Sequence, residues 1–344
     1  MTGTLPQLNL RDSIDPFLAG FRGQRVLLYP NPGNAGDCLI LAGTIAALEK
    51  GGVAYDIIDA RADVTGRTVF VGGGGNLVPL YRDISDALER FLPRAARIVL
   101  LPHTIRGHAR LLRRLDERVS VLCREAESLA YVQRVNPRVK SMLAHDMAFH
   151  LDADQVLART DLAAGAMPIV EAALADAGFT LASLAAMPRA RFMRTDKESR
   201  GTAGPGDIDL SAVLGNVSDA ESAAITTWSF LRIVSAARHI ETDRLHVAIA
   251  AALCGVPCDL HDNTYGKNRA MFAASLRNFP NVDFIACPQP SRHWERLTPD
   301  ERATRLRKGL RLKRIVTRFG FWAARVDGAI ARGGLPKLSA MRWL

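Results

Sequence analysis

Four short segments of this chain bring together side chains that could do chemistry. The first is Gly33-Asn34-Ala35-Gly36-Asp37, a polar, glycine-broken loop just before an apolar run. Glycine permits positive φ angles and lets a ligand come close to the main chain. Asp37 stands where it can cap the following helix, whose free N–H groups would then face a polar ligand. The second is Gly72-Gly73-Gly74-Gly75-Asn76-Leu77, where four glycines in a row imply that something approaches the backbone closely. It is no dinucleotide fingerprint, because Leu77 falls where the last glycine would be, and the chain has no P-loop. The third is Arg194-Thr195-Asp196-Lys197-Glu198-Ser199-Arg200, whose arginine fork matches a carboxylate or phosphate. Asp196 and Glu198 would share one face if a strand continued through them. The fourth is Asp243-Arg244-Leu245-His246 at the start of a helix, where Arg244 and the helix N-terminus suit an anion. His246 carries an imidazole, whose ordinary pKa of about 6.5 suits proton transfer near neutrality. His103, His145 and His261 also stand at or near strand ends. Each segment has a plain structural reading too: a capped turn, loop packed on loop, a solvated charged loop, an ordinary first helical turn. Cys254 and Cys258 lack the second pair of ligands that a zinc site needs.

These segments need a frame that aims them at one place. Arg25–Tyr29 reads as a strand, the loop around Gly33 follows, and an apolar helix runs from Cys38 to about Lys50 before Gly51-Gly52. Ala54–Ile58 is the next strand, and such a strand-helix-strand unit implies parallel pairing. Thr68–Val71 runs into the four glycines, Arg97–Leu101 ends at Pro102-His103-Thr104, and Val119–Cys123 ends at Arg124-Glu125. The spacing predicts a doubly wound α/β sheet with its site along the strand C-termini. Asp152–Ala190 is alanine-rich with little strand signal and reads as a linker into a second domain. There Ala190–Met193 is a strand, Glu221–Ala237 a helix, His239–Thr242 a strand, Val247–Cys254 a helix stopped by Gly255, and Val256–Leu260 extended. No repeat or low-complexity tract interrupts this order.

A chain of 344 residues, 48% hydrophobic and 23% charged, is globular and long enough for about two domains. It has no run of roughly 18 apolar residues to span a membrane, and its first residues lack the pattern of a secretory signal, so a cytoplasmic protein is expected. Five scattered cysteines argue for buried thiols rather than disulfides. The net charge of +10 is concentrated at one end. From Arg302 onward there are 12 Lys or Arg and one acid, so the tail carries about +11 and the remainder about −1. A near-neutral body with a basic tail argues against a nucleic-acid-binding core.

The ordered set of segments resembles the polysaccharide pyruvyl transferase family from about residue 25 to 285. The match comprises the Gly33–Asp37 loop, the strand into Gly72-Gly73-Gly74-Gly75-Asn76, Leu101-Pro102-His103-Thr104, Cys123–Ser128 and His145–Phe149. It continues through Arg194–Glu198, Arg244-Leu245-His246, Gly255-Val256-Pro257 and Asn263–Lys267. Met147 stands in place of the usual proline, and the basic tail has no counterpart in the match. The resemblance implies two Rossmann-like domains facing a cleft, as in the GT-B glycosyltransferases, here over 1–155 and 156–300. It implies phosphoenolpyruvate as donor and a sugar diol, free in a polysaccharide or lipid-linked, as acceptor, with Arg244 and His246 at the donor.

That donor carries a carboxylate and a phosphate, so the site needs cationic clamps: Arg194, Arg244 and Lys267 are the candidates. His246 is the candidate acid, and Asp37 or Asp196 a base or binder of the acceptor hydroxyl. Asn34, Gly36, Gly74, Gly75, Asn76 and His103 complete the expected substrate-binding set, with no metal and no organic cofactor. A nucleotide-sugar glycosyltransferase and a binding module without catalysis are the rival readings. Residues 301–344 read as a basic amphipathic helix, with Ile315, Val316, Phe319, Trp322 and Val326 at helical spacing among arginines. Such a helix either packs on the protein or holds it peripherally on the inner face of the cytoplasmic membrane, where anionic lipid attracts each basic residue by about 1 kcal/mol.

Overall fold

Most strands among the described residues are separated by helices, and every strand pair is parallel. β1 (Arg25–Tyr29), α1 (Ala35–Lys50), β2 (Ala54–Ile57), β3 (Thr68–Val71), β4 (Gly74–Leu77), α2 (Asp83–Phe91) and β5 (Arg97–Ile105) come first. β6 (Val119–Cys123), α3 (Ala126–Val135) and β7 (Lys140–Leu143) complete the first sheet, in order β2-β1-β3-β5-β6-β7, with β4 also paired to β5. The computed structural model describes residues 14–286 apart from 197, 200–202, 205 and 215–218. All described residues lie in one compact unit. The basic segment expected over 301–344 lies outside them.

The long strand β5 explains the glycine run. Its first half pairs with β3 and its second half with β4, so the chain must step sideways through Gly72-Gly73. A Cβ on Gly72 would stand 2.6 Å from the Asn31 nitrogen, and one on Gly73 would stand 2.7 Å from the Pro102 carbonyl oxygen. Loop-on-loop packing therefore accounts for these two. The loop expected over 72–75 gives way to a strand at Gly74, and β5 continues past Leu101 through Pro102 to Ile105. The ladder to β6 is irregular between Leu100 and His103, which accommodates a proline that cannot donate.

Successive residues of β1, β3 and β5 enter different cores. Val26, Leu28, Phe70 and Val99 belong to one, and Leu27, Tyr29, Val69 and Ile98 to the other. A parallel sheet buried on both faces needs such unbroken apolar strands. The first of these cores runs on into the second half of the chain. There the stretch expected as a linker is largely helical and includes α4 (Thr160–Asp176). β8 (Ala190–Phe192), α5 (Ala220–Ala236), β9 (Ile240–Thr242), α6 (Leu245–Cys254), β10 (Cys258–His261), α7 (Lys267–Ala274) and β11 (Val282–Ile285) follow. These strands form a second parallel sheet of order β11-β10-β9-β8. α1 packs against α5 and against the short turn Met147–His150. The shared core joins Leu39 of α1 to Phe230 of α5, Phe192 of β8 and Leu260 of β10. No helix among the described residues is long and apolar enough to cross a membrane.

α1 begins at Ala35, three residues before the expected start, because Asn34 and not Asp37 caps it. Its approach to the 147–150 turn depends on Gly43, where a Cβ would fall 2.8 Å from the Met147 carbonyl carbon. That neighbour is backbone and cannot rotate away. Gly43→Ala is expected to destabilise the protein by about 1–3 kcal/mol through overpacking, although alanine favours helix. A denaturant midpoint equal to or above the parent's would contradict this packing.

Candidate active site

The C-terminal ends of β1, β4, β6 and β7 deliver the first half's polar groups, and those of β8, β9 and β10 the second half's. This is where ligands sit in doubly wound folds. In the first half, Gly36 N–H donates to Asn34 Oδ1 (2.9 Å) and Asn34 N–H donates to Asp37 Oδ2 (2.9 Å). Asn31 Nδ2 donates to Asp37 Oδ1 (2.7 Å), and Asn76 Nδ2 donates to Asn31 Oδ1 (2.7 Å). His103 Nε2 lies 3.0 Å from Asn76 Oδ1. With the amide nitrogen of Asn76 already donating to Asn31, the ring nitrogen of His103 must supply the proton here. Burial, aided by the Arg124 charge, pulls the His103 ring down to about 3, so it is neutral and orients the asparagines. Burial pushes the Asp37 carboxyl up, against the pull of His246, the Asn34 amide and Arg124.

Behind this chain lies a buried ion pair. Arg124 Nη1 donates to Asp146 Oδ2 (2.6 Å), and Arg124 Nε donates to Thr104 Oγ1 (2.8 Å). The side chains of Arg124 and Asp146 are 1% and 0% exposed. Neither was among the expected site residues. Arg124 has a local signal, a charged residue straight after the buried apolar strand Val119–Cys123, whereas Asp146 stands three residues past the end of β7 and has none.

The second half contributes two braced arginines. Arg194 holds Asp196 with Nε (2.9 Å) and Nη2 (3.0 Å). Arg244 donates from Nη1 to the same Asp196 oxygen, Oδ2, that Arg194 Nη2 binds (2.9 Å), and grips Asp209 with Nε (2.9 Å) and Nη2. Although burial alone would raise it, the two arginines keep the Asp196 carboxyl below its usual range. Glu198 receives Lys267 Nζ (2.7 Å), Tyr81 Oη (2.7 Å) and Asn263 Nδ2 (3.2 Å), and pairs with Arg194 at 2.8 Å. Lys267 and Arg194 outweigh burial and hold its carboxyl far below the usual range. Burial pulls the Lys267 amine down to about 8, although Glu198 opposes this.

The halves meet at His246. It stands in the first turn of α6, and its ring lies where a side chain on Gly36 would be, so only glycine at 36 admits it. His246 Nε2 is buried, has no hydrogen-bond partner within normal reach among the described residues, and lies 3.8 Å from Asp146 Oδ2.

A cavity of about 170 Å³ opens between these groups. Of the expected residues, Asn34, Asp37, Gly75, Asn76, Arg194, Arg244, His246 and Lys267 line it. Gly36, Gly74, His103 and Asp196 stand behind the lining. Gly36 makes room for His246, Gly74 makes room for the Asn31 amide, His103 orients Asn76, and Asp196 braces both arginines. Arg124, Glu198 and Tyr81 line the cavity as well. Glu198 fell inside a candidate segment, whereas nothing in the sequence around Tyr81 marks it. Among the described residues no group of three or more His, Cys, Asp or Glu is placed to hold a metal ion.

Comparison with known proteins identifies the family. A family model for polysaccharide pyruvyl transferase matches residues 34–258. The fold is similar to a solved structure of a functionally uncharacterised protein from Klebsiella pneumoniae subsp. pneumoniae NTUH-K2044, with a TM-score of 0.65 and 26% identity. That similarity covers 80% of this chain and 97% of the other. No protein in the curated set matches the chain. The matched span starts at the Asn34 cap and runs past His246, so it contains both sides of the cavity up to β10, and the chain belongs to the polysaccharide pyruvyl transferase family.

Proposed function

We propose that the chain moves a pyruvyl group from phosphoenolpyruvate onto two hydroxyls of a sugar, closing a ketal on a polysaccharide or on its lipid-linked precursor. One observation carries this reading. Arg124, Arg194, Arg244 and Lys267 converge with His246 on a single small cavity. A compact ligand with a carboxylate at one end and a phosphate at the other fits such a set of forks and points of charge.

In this scheme His246 gives its proton to the methylene carbon of the donor as the first sugar oxygen bonds to the central carbon. Asp37, beside His246 and with its carboxyl raised by burial, takes the proton of that hydroxyl. The carbon–oxygen bond to phosphate then breaks and the second hydroxyl closes the ketal. Of the two hydroxyl protons, one replaces that delivered to carbon and the other leaves with phosphate. Arg194 and Arg244 hold the anionic donor, and Asp196 keeps their two planes in register. The reading takes 1–155 and 156–300 as the two halves of a GT-B-like arrangement, supported by one parallel sheet in each and a cavity lined from both. Attachment to the inner face of a membrane through 301–344 rests on the sequence pattern alone.

Phosphoenolpyruvate should raise the melting temperature saturably, because a ligand at about 100 times its Kd stabilises by about 2.7 kcal/mol. Arg244→Gln should lose that rise when measured from its own baseline. A rise with UDP- or GDP-sugars and none with phosphoenolpyruvate would turn the reading to a glycosyltransferase. The Lys267 amine sits at about 8 in the free protein. As a base held below its ordinary value it sheds its charge as pH climbs through 8, and donor capture should fall there. kcat/KM for phosphoenolpyruvate should drop about tenfold or more across that limb, the worth of a charged hydrogen bond. In Lys267→Met the phosphoenolpyruvate Kd, read from the melting-temperature titration, should be weaker and should no longer rise through pH 8; a rise that persists would assign it to another group.

A further inference from the structure

We propose that Asp146, fixed by Arg124, is the positioning residue that aims the His246 ring and sustains its charge during transfer. The inference rests on His246 acting as the acid. Asp146 is locked at both oxygens: Oδ1 accepts Ala148 N–H (2.9 Å) and Oδ2 accepts Arg124 Nη1 (2.6 Å). Arg124 is itself held by Thr104, and Gly75 leaves room for it, since a Cβ there would stand 2.6 Å from Nη2. Asp146 does not line the cavity, so it acts through another group. That group is His246, whose buried Nε2 has no hydrogen-bond partner among the described residues and faces Asp146 Oδ2 at 3.8 Å. A contraction of about 1 Å makes a hydrogen bond, and such bonds commonly tighten once substrate fills a site.

A buried ion pair on its own adds little net stability, and an apolar pair of similar volume does as well or better. This one sits just past the fully buried strand β6, with its side chains 1% and 0% exposed. Its charge acquires a use only when a third ionisable group joins it. His246 supplies that group from the opposite half of the chain. The charged groups facing the ring are Asp37, Asp146 and Arg124, with Arg244 two residues earlier on its own element. The two carboxylates are not equivalent. Burial pushes Asp37 up. Burial would also raise Asp146, but the His246 ring and Arg124 hold it well below the usual range. Divergent neighbours of this kind divide the work: Asp37 takes a proton and Asp146 stays charged.

The test is a double-mutant cycle on the full chain with Asp146→Asn and His246→Gln. Asp146→Asn should lower kcat by about 10- to 100-fold, with KM for phosphoenolpyruvate within about threefold, and move the alkaline limb of kcat to lower pH. In the His246→Gln background the same change should cost less than about twofold, because coupled residues are not additive. An equal loss in both backgrounds, or an unmoved limb, overturns the proposal. Ring titration by NMR, with the His246 signal identified by its loss in His246→Gln, needs no substrate. Its midpoint should fall by about one pH unit in Asp146→Asn, and no fall overturns the proposal even if the parent never uses phosphoenolpyruvate. That last result would count against the functional reading alone. If Asp146→Asn leaves Arg124 unpaired and the chain fails to fold, Arg124→Gln/Asp146→Asn removes the whole pair. Its His246 midpoint should also fall, since Asp146 is the carboxylate that faces the ring at 3.8 Å.

Discussion

Every cation at the cavity already has a carboxylate. Arg124 is paired with Asp146, Arg194 with Asp196 and Glu198, Arg244 with Asp196 and Asp209, and Lys267 with Glu198. Most of these side chains are nearly out of contact with water, where a lone charge would carry a desolvation cost of several kcal/mol. Mutual neutralisation is therefore the condition under which a dense set of guanidinium and ammonium groups can exist here at all. It also decides what the folded chain can do. Arginines held on rigid acids keep one orientation, and orientation is what a bidentate fork supplies beyond charge.

The same condition ties the two halves together. Tyr81, from the loop after β4, donates to Glu198 after β8, and His246 of α6 fills the space that Gly36 leaves in α1. Away from the cavity, α1 packs on α5 through a continuous apolar core. The polar contacts are few and exact in placement, whereas the apolar ones are broad. Burial holds the halves together, and the polar contacts set the relative aim of His246 and the arginines. A shift of about 1 Å in such an aim is enough to change a reaction rate severely.

Much of the frame is legible from the residues. Strands such as Arg25–Tyr29 and Val119–Cys123 are short apolar runs ended by polar loops, and they appear where their pattern places them. Lys140–Leu143 and Val282–Ile285 were not read as strands, because edge strands half-open to solvent lack the unbroken apolar run of a central one. The helix start at Ala35 was misread because Asn34 and Asp37 can each cap, and only the observed backbone shows Asn34 in the extended cap conformation. The four glycines were read evenly between a ligand and a neighbouring loop. Gly72 and Gly73 answer to loops, Gly74 to the Asn31 side chain, and Gly75 to Arg124 at the cavity.

Site residues divide along a different line. Arg194, Arg244, His246 and Lys267 were legible because their chemistry matches an anion directly. Arg124 shows in the sequence only as a strand end and Asp146 only within the family pattern, since each side chain turns inward and no local spacing reveals a pair formed across two strands. Asp196 was legible as an acid but not as a brace, because its role depends on two arginines brought from 194 and 244. This limit is physical. Sequence spacing reports the neighbours on one element, while charge in a buried site is set by neighbours from several. For this cavity the sign of each carboxylate's shift follows from cations that lie from two to about a hundred residues away along the chain. Asp37 and Asp146 share a functional group and behave oppositely: both are fully buried and both feel His246 and Arg124, but Asp146 is bonded directly to Arg124, whereas at Asp37 burial outweighs the cations.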